Sequence, residues 1–329
     1  MGWICALPIE MAAAEAMLEQ SYKPPPRPPY DRNNYSFGRI GPHNVVLACL
    51  PAGAIGVTSA AIVATQMRST FASIQIGLMV GVGGGVPSST NDIRLGDVVV
   101  GKPSGISGGV VQYDFGRTVQ EGRFIRTGSL NKPPSVLLNA VSSLETKIHL
   151  YGNKLLSHSL VVPPKYSHLH SASAYPGAEH DQLFEFEYDH KGSGSTCAAC
   201  DSQRVTKRPT RTGTEPKIHF GLIASGNQVI RHGLTREKLR KELDVMCFEM
   251  EAAGLMDSFP CLVIRGICDY ADSHKNKQWQ PYAAVTAAAC AKELLLAVQA
   301  TDTVAGVADS NHKGQYTDKV LVNDPEFIT

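Results

Sequence analysis

Between Cys247 and Asp272 the chain reads CFEMEAAGLMDSFPCLVIRGICDYAD. Two carboxylates, Glu251 and Asp269, bracket a helix-like piece (Ala252–Phe259) and a proline-started apolar run (Pro260–Ile267). That run is continuous, short and rich in β-branched residues, as expected of a strand buried on both faces. Asp269 therefore falls where a buried strand ends, the place where open α/β folds put ligand chemistry. Glu251 opens the preceding helix, where the dipole favours a carboxylate that is also free to face a ligand.

Working outward, Gly2–Leu7 (GWICAL) reads as a short apolar strand, and Pro8-Ile9-Glu10 starts a helix through Met11–Gln20. Proline in a first turn with a nearby glutamate is a helix-start signal, so Glu10 sits at a strand-to-helix junction. Ser21–Tyr30 is too proline-rich for helix or central strand. Asn44–Leu50 is a strand, and Val57–Met67 has helical spacing. Ile74–Val82 is a further buried strand running into a turn at Gly83-Gly84-Gly85. A dinucleotide fingerprint would need glycine where Val86 stands and an acidic residue farther on, and no GxxxxGK[ST] occurs, so dinucleotide and P-loop readings fail. Ile93–Val100 is a turn and strand, Pro133–Leu150 an amphipathic helix, Lys217–Ser225 a strand, Leu234–Leu243 a charged exposed helix and Pro281–Ala300 a closing helix.

From Leu156 to Pro216 the pattern dissolves into serine, histidine, proline, glycine and charge. So long an irregular stretch within a compact domain is a lid or a mobile insertion. Its histidines (His158, His168, His170, His180, His190) read as solvated. Residues 301–329 lose apolar periodicity and read as a tail or linker after a domain spanning 1–300.

The 329 residues are 43% hydrophobic and 19% charged, with a net charge of +1. Nothing in that balance attracts nucleic acid or a membrane surface. No signal peptide is expected at the N-terminus, and Tyr282–Ala300 carries too many polar residues for a membrane span. Of eight cysteines, several lie inside apolar runs and behave as small hydrophobes. Cys197 and Cys200 form a CxxC with no matching second pair, so a zinc site is the weaker reading and no metal is assigned. A reducing cytoplasm fits this cysteine usage.

Several motifs together resemble the purine nucleoside phosphorylase/methylthioadenosine nucleosidase superfamily: FEMEA at 248–252, RGICD at 265–269, LGDVVV at 95–100 and GLIASGNQVI at 221–230. With GWICALP and GICDYADSHKN added, the chain is most similar to the nucleosidase-like N-terminal domains of fungal NOD-like receptor type proteins. The resemblance covers Gly2–Ala300 apart from the insertion. It implies an α/β fold, a three-layer α/β/α domain around a mixed, partly barrelled sheet. It also implies a homo-oligomer, dimeric or trimer-based, whose subunits complete each other's pockets.

The same resemblance implies the chemistry. Asp269 is the general acid for the purine N7, Glu251 holds the ribose hydroxyls and offsets oxocarbenium charge, and Glu10 positions and deprotonates water. Met250 packs on the sugar. Gly83 and Gly84 lie beneath ribose and purine, Val229 and Ile230 flank the adenine, and Asn227, Phe248 and Cys268 complete the substrate contacts. Relatives shape the pocket around the sugar's 5′ end near Arg117, so Arg117 either meets a charged 5′ substituent or is a solvated loop arginine. A nucleotide substrate would require Arg117 and the basic segment near Arg208, about which the resemblance says little, to reach the 5′ phosphates. No cofactor is required. Asp269 must be raised from about 3.9 by burial to donate near neutrality. Glu249 is read as structural, and Asp272 and His274 as stabilising their loop. The relatives' phosphorylases carry phosphate ligands that Met79-Val80-Gly81-Val82 lacks, which favours hydrolysis of adenosine or a nucleotide such as ATP. Phosphorolysis and non-catalytic purine sensing are the alternatives. Val229, which cannot stack on a base, and Cys268, a weak donor, depart from the pattern.

Overall fold

The computed structural model describes residues 1–152, 160–192 and 196–299. The expected tail at 301–329, His158 and the first residues of the insertion lie outside them. Along the chain come β1 (Gly2–Cys5), α1 (Pro8–Ala16), β2 (Gln20–Tyr22), β3 (Tyr35–Ile40), β4 (His43–Cys49), α2 (Val57–Thr70) and β5 (Gly77–Gly85). Then follow β6 (Val98–Gly101), β7 (Val110–Gln112), β8 (Gly116–Thr118), β9 (Phe124–Arg126), α3 (Ser135–Tyr151) and α4 (Ser167–Ala172). The last are β10 (Ile218–Ser225), α5 (Gly233–Leu243), β11 (Val245–Glu249), β12 (Cys261–Asp269) and α6 (Gln280–Ala297).

The large sheet runs β11-β10-β6-β12-β5-β1-β4-β3-β2, and β11 pairs back onto β5. That pairing closes β5, β12, β6, β10 and β11 into a barrel from which β1 to β4 extend as an open wing. The sheet is mixed: β12 runs parallel to β5 and antiparallel to β6, and β11 is antiparallel to β5. Alternation along β12 builds the layers. Leu262 and Ile264 pack with α1, α3 and α6 on one face, and Val263 packs with α2 and Met79 on the other. Each such fully buried side chain contributes about 1.5–3 kcal/mol of apolar transfer. This is the expected three-layer α/β/α arrangement.

Three expectations change. The helix expected through Gln20 ends at Ala16, and Gln20–Tyr22 is an edge strand. The helix expected at Ala252–Phe259 shrinks to a single 3₁₀ turn at Ala252–Gly254, with turns following it up to β12. The expected glycine turn at Gly83–Gly85 is strand: β5 continues through it, with Gly84 opposite Phe248 and Gly85 opposite Cys247. A Cβ on Gly84 would lie 2.8 Å from Asp269 Oδ1. Glycine here is what lets the ends of β11 and β12 crowd onto one strand.

The described residues of the insertion form α4 and short 3₁₀ turns, fastened by buried ionic contacts. Arg211 Nη1 lies 2.7 Å from Asp97 Oδ1, and His219 Nε2 lies 2.9 Å from Asp97 Oδ2. Burial pushes Asp97 up, but the contacts from Arg211 and His219 hold it below its ordinary range. Arg208 bridges Asp181 at 2.9 Å and the Tyr270 hydroxyl at 2.8 Å.

Candidate active site

The ends of β1, β5, β11 and β12 face a cleft of about 1510 Å³ whose lining includes Glu10, Gly83, Gly84, Phe248, Met250, Glu251, Cys268 and Asp269. Residues far apart in sequence meet there because the barrel closes.

Glu10 stands in the first turn of α1, almost fully buried. Its Oε2 accepts from the backbone N–H groups of Ala6 (2.7 Å) and Leu7 (2.9 Å), and its Oε1 from that of Val82 (2.8 Å). One carboxylate thus ties β1 to β5. Burial raises its pKa, against the pull of Arg265 and the three N–H donors. Across Gly81, where a Cβ would come within 2.5 Å of both groups, Glu10 Oε1 approaches Arg265 Nη1.

Arg265 lies in mid-strand on β12 with no solvent exposure. Its Nη2 pairs with Glu249 at very short range and reaches Glu251 Oε2 at 3.4 Å. Those carboxylates outweigh desolvation and keep the guanidinium firmly charged. Its Nε and Nη1 make no hydrogen bond. Glu249 also accepts from the backbone N–H groups of Glu251 and Ala252 at 3.0–3.1 Å, so it shapes the turn that presents Glu251. Glu251 is pushed up to about 7 by burial, with Arg265 pulling down and Glu249 and Glu10 pushing further up. Three carboxylates around one guanidinium leave the floor of the cleft negative.

Asp269 ends β12. Its Oδ1 accepts from the Ala271 N–H at 2.9 Å, and its Oδ2 lies 3.2 Å from Cys268 Sγ and 2.8 Å from Lys275 Nζ. Burial, then the neighbouring carboxylate, push the Cys268 thiol far up. Burial would lower Lys275, but Asp269 and Cys268 raise it. An ammonium therefore sits directly on the Asp269 carboxylate.

Of the remaining expected residues, Ile230 is buried and Val229 is 47% exposed, and both line the cleft. Phe248 also lines it and packs edge-on against Tyr113. Asn227 does not line it: its Oδ1 accepts from Val57 N–H at 3.2 Å, fixing the start of α2. Arg117 lies exposed on the β8–β9 ribbon, away from the cleft lining. Arg208 is consumed by Asp181 and Tyr270. The cations that do line the cleft are Arg231, Lys275 and Lys277.

Sequence reasoning gave no role to Arg265 and Lys275. An arginine inside PCLVIRGICD was a usable signal, since a charge buried in a strand must be paired. Lys275 carried no such signal. The insertion also joins the site, contributing His180, His190, Thr196 and Cys197 to the rim. His190, expected to be solvated, is half-buried beside the CxxC.

Residues 1–300 match the family model of the phosphorylase superfamily. A nucleotide-binding leucine-rich repeat (NLR)-like protein of Hyaloscypha variabilis is 46% identical over 297 residues, covering 90% of this chain and 29% of that protein. The chain thus spans less than a third of the length of that relative. A 5′-methylthioadenosine/S-adenosylhomocysteine nucleosidase of Mycobacterium bovis is 26% identical, covering 90% of this chain and 95% of that one. Among solved structures, the Helicobacter pylori 5′-methylthioadenosine/S-adenosylhomocysteine nucleosidase superposes with a TM-score of 0.56 at 18% identity, covering 89% and 96% of the two chains. Among the described residues no helix is long and apolar enough to cross a membrane.

Proposed function

The chain belongs to the phosphorylase superfamily, and from that premise we propose that it is a purine nucleosidase, hydrolysing the N-glycosidic bond of adenosine or an adenine nucleotide to release adenine. The observation that carries this reading is the acidic floor: Glu10, Glu249 and Glu251 gathered around the single guanidinium of Arg265. Such a floor repels a phosphate dianion and favours a cationic sugar, so water is the suitable acceptor.

In this mechanism Asp269 gives a proton to the purine N7 as the C–N bond breaks and its electrons pass to the base. Glu251, when charged, offsets the positive charge on the sugar. Glu10 takes a proton from the water whose oxygen bonds to the anomeric carbon. Likeness to the nucleosidases supports a nucleosidase, and likeness to the NLR-like protein supports a purine-acting module within such a receptor. A nucleotide substrate rests on Arg231 and Lys277, which line the cleft, instead of Arg117 and Arg208. Assembly as a dimer or trimer-based oligomer is part of the same proposal.

Adenine release from adenosine and from ATP, with and without phosphate, tests it. Phosphate-independent release lost in Asp269→Asn is expected; release that requires phosphate would overturn hydrolysis. A second reading, purine binding without turnover, is favoured by Lys275, which occupies the Asp269 carboxylate. Intact purine binding with no release under any condition would establish it.

A further inference from the structure

Outside the acidic floor, the rim brings together three soft donors. The ligand atoms of His190, Cys197 and Cys200 all lie within 4.8 Å of one another, and all three residues are half-buried. Around a tetrahedral zinc, with bonds of about 2.3 Å to sulfur and about 2.0–2.1 Å to nitrogen, ligand atoms stand roughly 3.5 Å apart. Small side-chain rotations close that difference. The 3₁₀ turn at Cys197–Ala199 brings Cys200 round toward Cys197.

The surroundings match a metal site as well. The Lys191 backbone N–H points at Cys200 Sγ at 3.5 Å, the donation that steadies a thiolate. His190 Nε2 lies 3.0 Å from the Thr196 carbonyl. A carbonyl only accepts, so Nε2 carries the proton and Nδ1 keeps its lone pair, the orientation that metal-ligating histidines adopt.

His274 supplies an independent observation. It is 8% exposed, stacked on Phe184 at 4.0 Å, and neither ring nitrogen makes a hydrogen bond. Its Nδ1 stands 3.6 Å from Asp272 Oδ1. Its ring centre is 5.6 Å from that of His190, close to the roughly 5 Å that separates two imidazoles on one tetrahedral ion.

We propose that His190, Cys197, Cys200 and His274 bind a thiophilic divalent cation of the zinc type. Two thiolates and two imidazoles form a closed structural set, leaving no position for substrate or reactive water. The ion would pin His190, Cys197 and Cys200 on the rim to the loop that follows Asp269 and carries Lys275. Two parts of the cleft wall that share no strand would then be joined by four bonds.

The test is metal content of the purified chain after dialysis, followed by cobalt substitution. The expected result is about one zinc per chain, replaced by cobalt with a thiolate-to-metal charge-transfer band and the intense visible bands of a tetrahedral site. Cys197→Ser and Cys200→Ser should each weaken retention at least tenfold. His274→Asn should keep the charge-transfer band but lose tetrahedral intensity. The cobalt titration of the unaltered chain needs no variant to fold. Absence of both retained zinc and a cobalt band would overturn the proposal. So would a Cys197–Cys200 disulfide in the purified protein, seen as the loss of two hydrogens in its mass. A tetrahedral spectrum unchanged in His274→Asn would overturn the fourth ligand. Metal content is read independently of adenine release, so this inference and the nucleosidase reading fail separately.

Discussion

At the floor of the cleft, Glu10 from the first turn of α1, Glu249 from the end of β11 and Glu251 from the turn just after it converge on Arg265, all nearly or wholly buried. At the rim, His190, Thr196 and Cys197 are held by irregular backbone that is half or fully exposed. The floor gets its geometry from the sheet: the β11–β5 pairing closes the barrel and fixes the carboxylates through backbone N–H donors. The rim gets its geometry from a few polar contacts, Arg208–Asp181 and Arg211–Asp97, with the His274–Phe184 stack. Charge placed on a rigid ladder can be buried and shifted; charge placed on loops has to be bonded side chain by side chain. The floor therefore suits chemistry, and the rim suits selection of what enters.

The largest effect expected from breaking this contrast is on turnover. Asp269→Asn and Glu10→Gln should each lower adenine release by about 10²–10⁴-fold, the usual range for a lost acid or base. Steady-state assays that leave either variant within a few fold of the unaltered chain would remove that residue from the mechanism.

Next comes Arg265→Met. Removing the one cation among three buried carboxylates should cost about 3–5 kcal/mol, read as a lower denaturant midpoint. A loss under about 1 kcal/mol, the scale of a surface pair, would show the floor to be wetter and less coupled than its burial implies.

The third prediction concerns pH. Glu251 has a folded pKa of about 7 against an ordinary 4.5, so between those values the folded chain binds more protons than the unfolded one. Its contribution to stability is complete below about 4.5 and is lost as pH rises through about 7, with a slope of at most about 1.4 kcal/mol per pH unit. Glu251→Gln should flatten that part of the curve. Because the mechanism needs Glu251 charged, kcat/KM should climb through the same window in the unaltered chain. An activity profile flat from pH 5 to pH 8 would remove the charged role.

The smallest effect belongs to the rim. Asp181→Asn weakens the pairing with Arg208 and should cost about 1–2 kcal/mol, raising KM more than it lowers kcat. A fall in kcat with KM unchanged would mean that rim and floor are not separate devices.

Much of the floor was legible from the chain itself. FEMEA and RGICD place Glu251 and Asp269 beside an apolar run, and a proline-started helix after GWICAL places Glu10; strand and helix periodicity then give their surroundings. What was not legible were contacts created by closure. The glycines at 83–85 suggest a turn locally, yet they form a strand because β11 and β12 both press on it. Glu249 looked remote from Glu251 when a helix was assumed; with β11 running to Glu249 the two carboxylates share Arg265.

The alternation and length of apolar runs determined the α/β class and the strand ends, because burial of apolar faces is a local property written residue by residue. Tertiary structure alone decided that Lys275 rests on Asp269, that Arg117 and Arg208 stay out of the cleft, and that His190 meets Cys197 and Cys200. Those outcomes depend on how separate segments are brought together in space. A charged or polar side chain carries no periodic signature of the partner it will find.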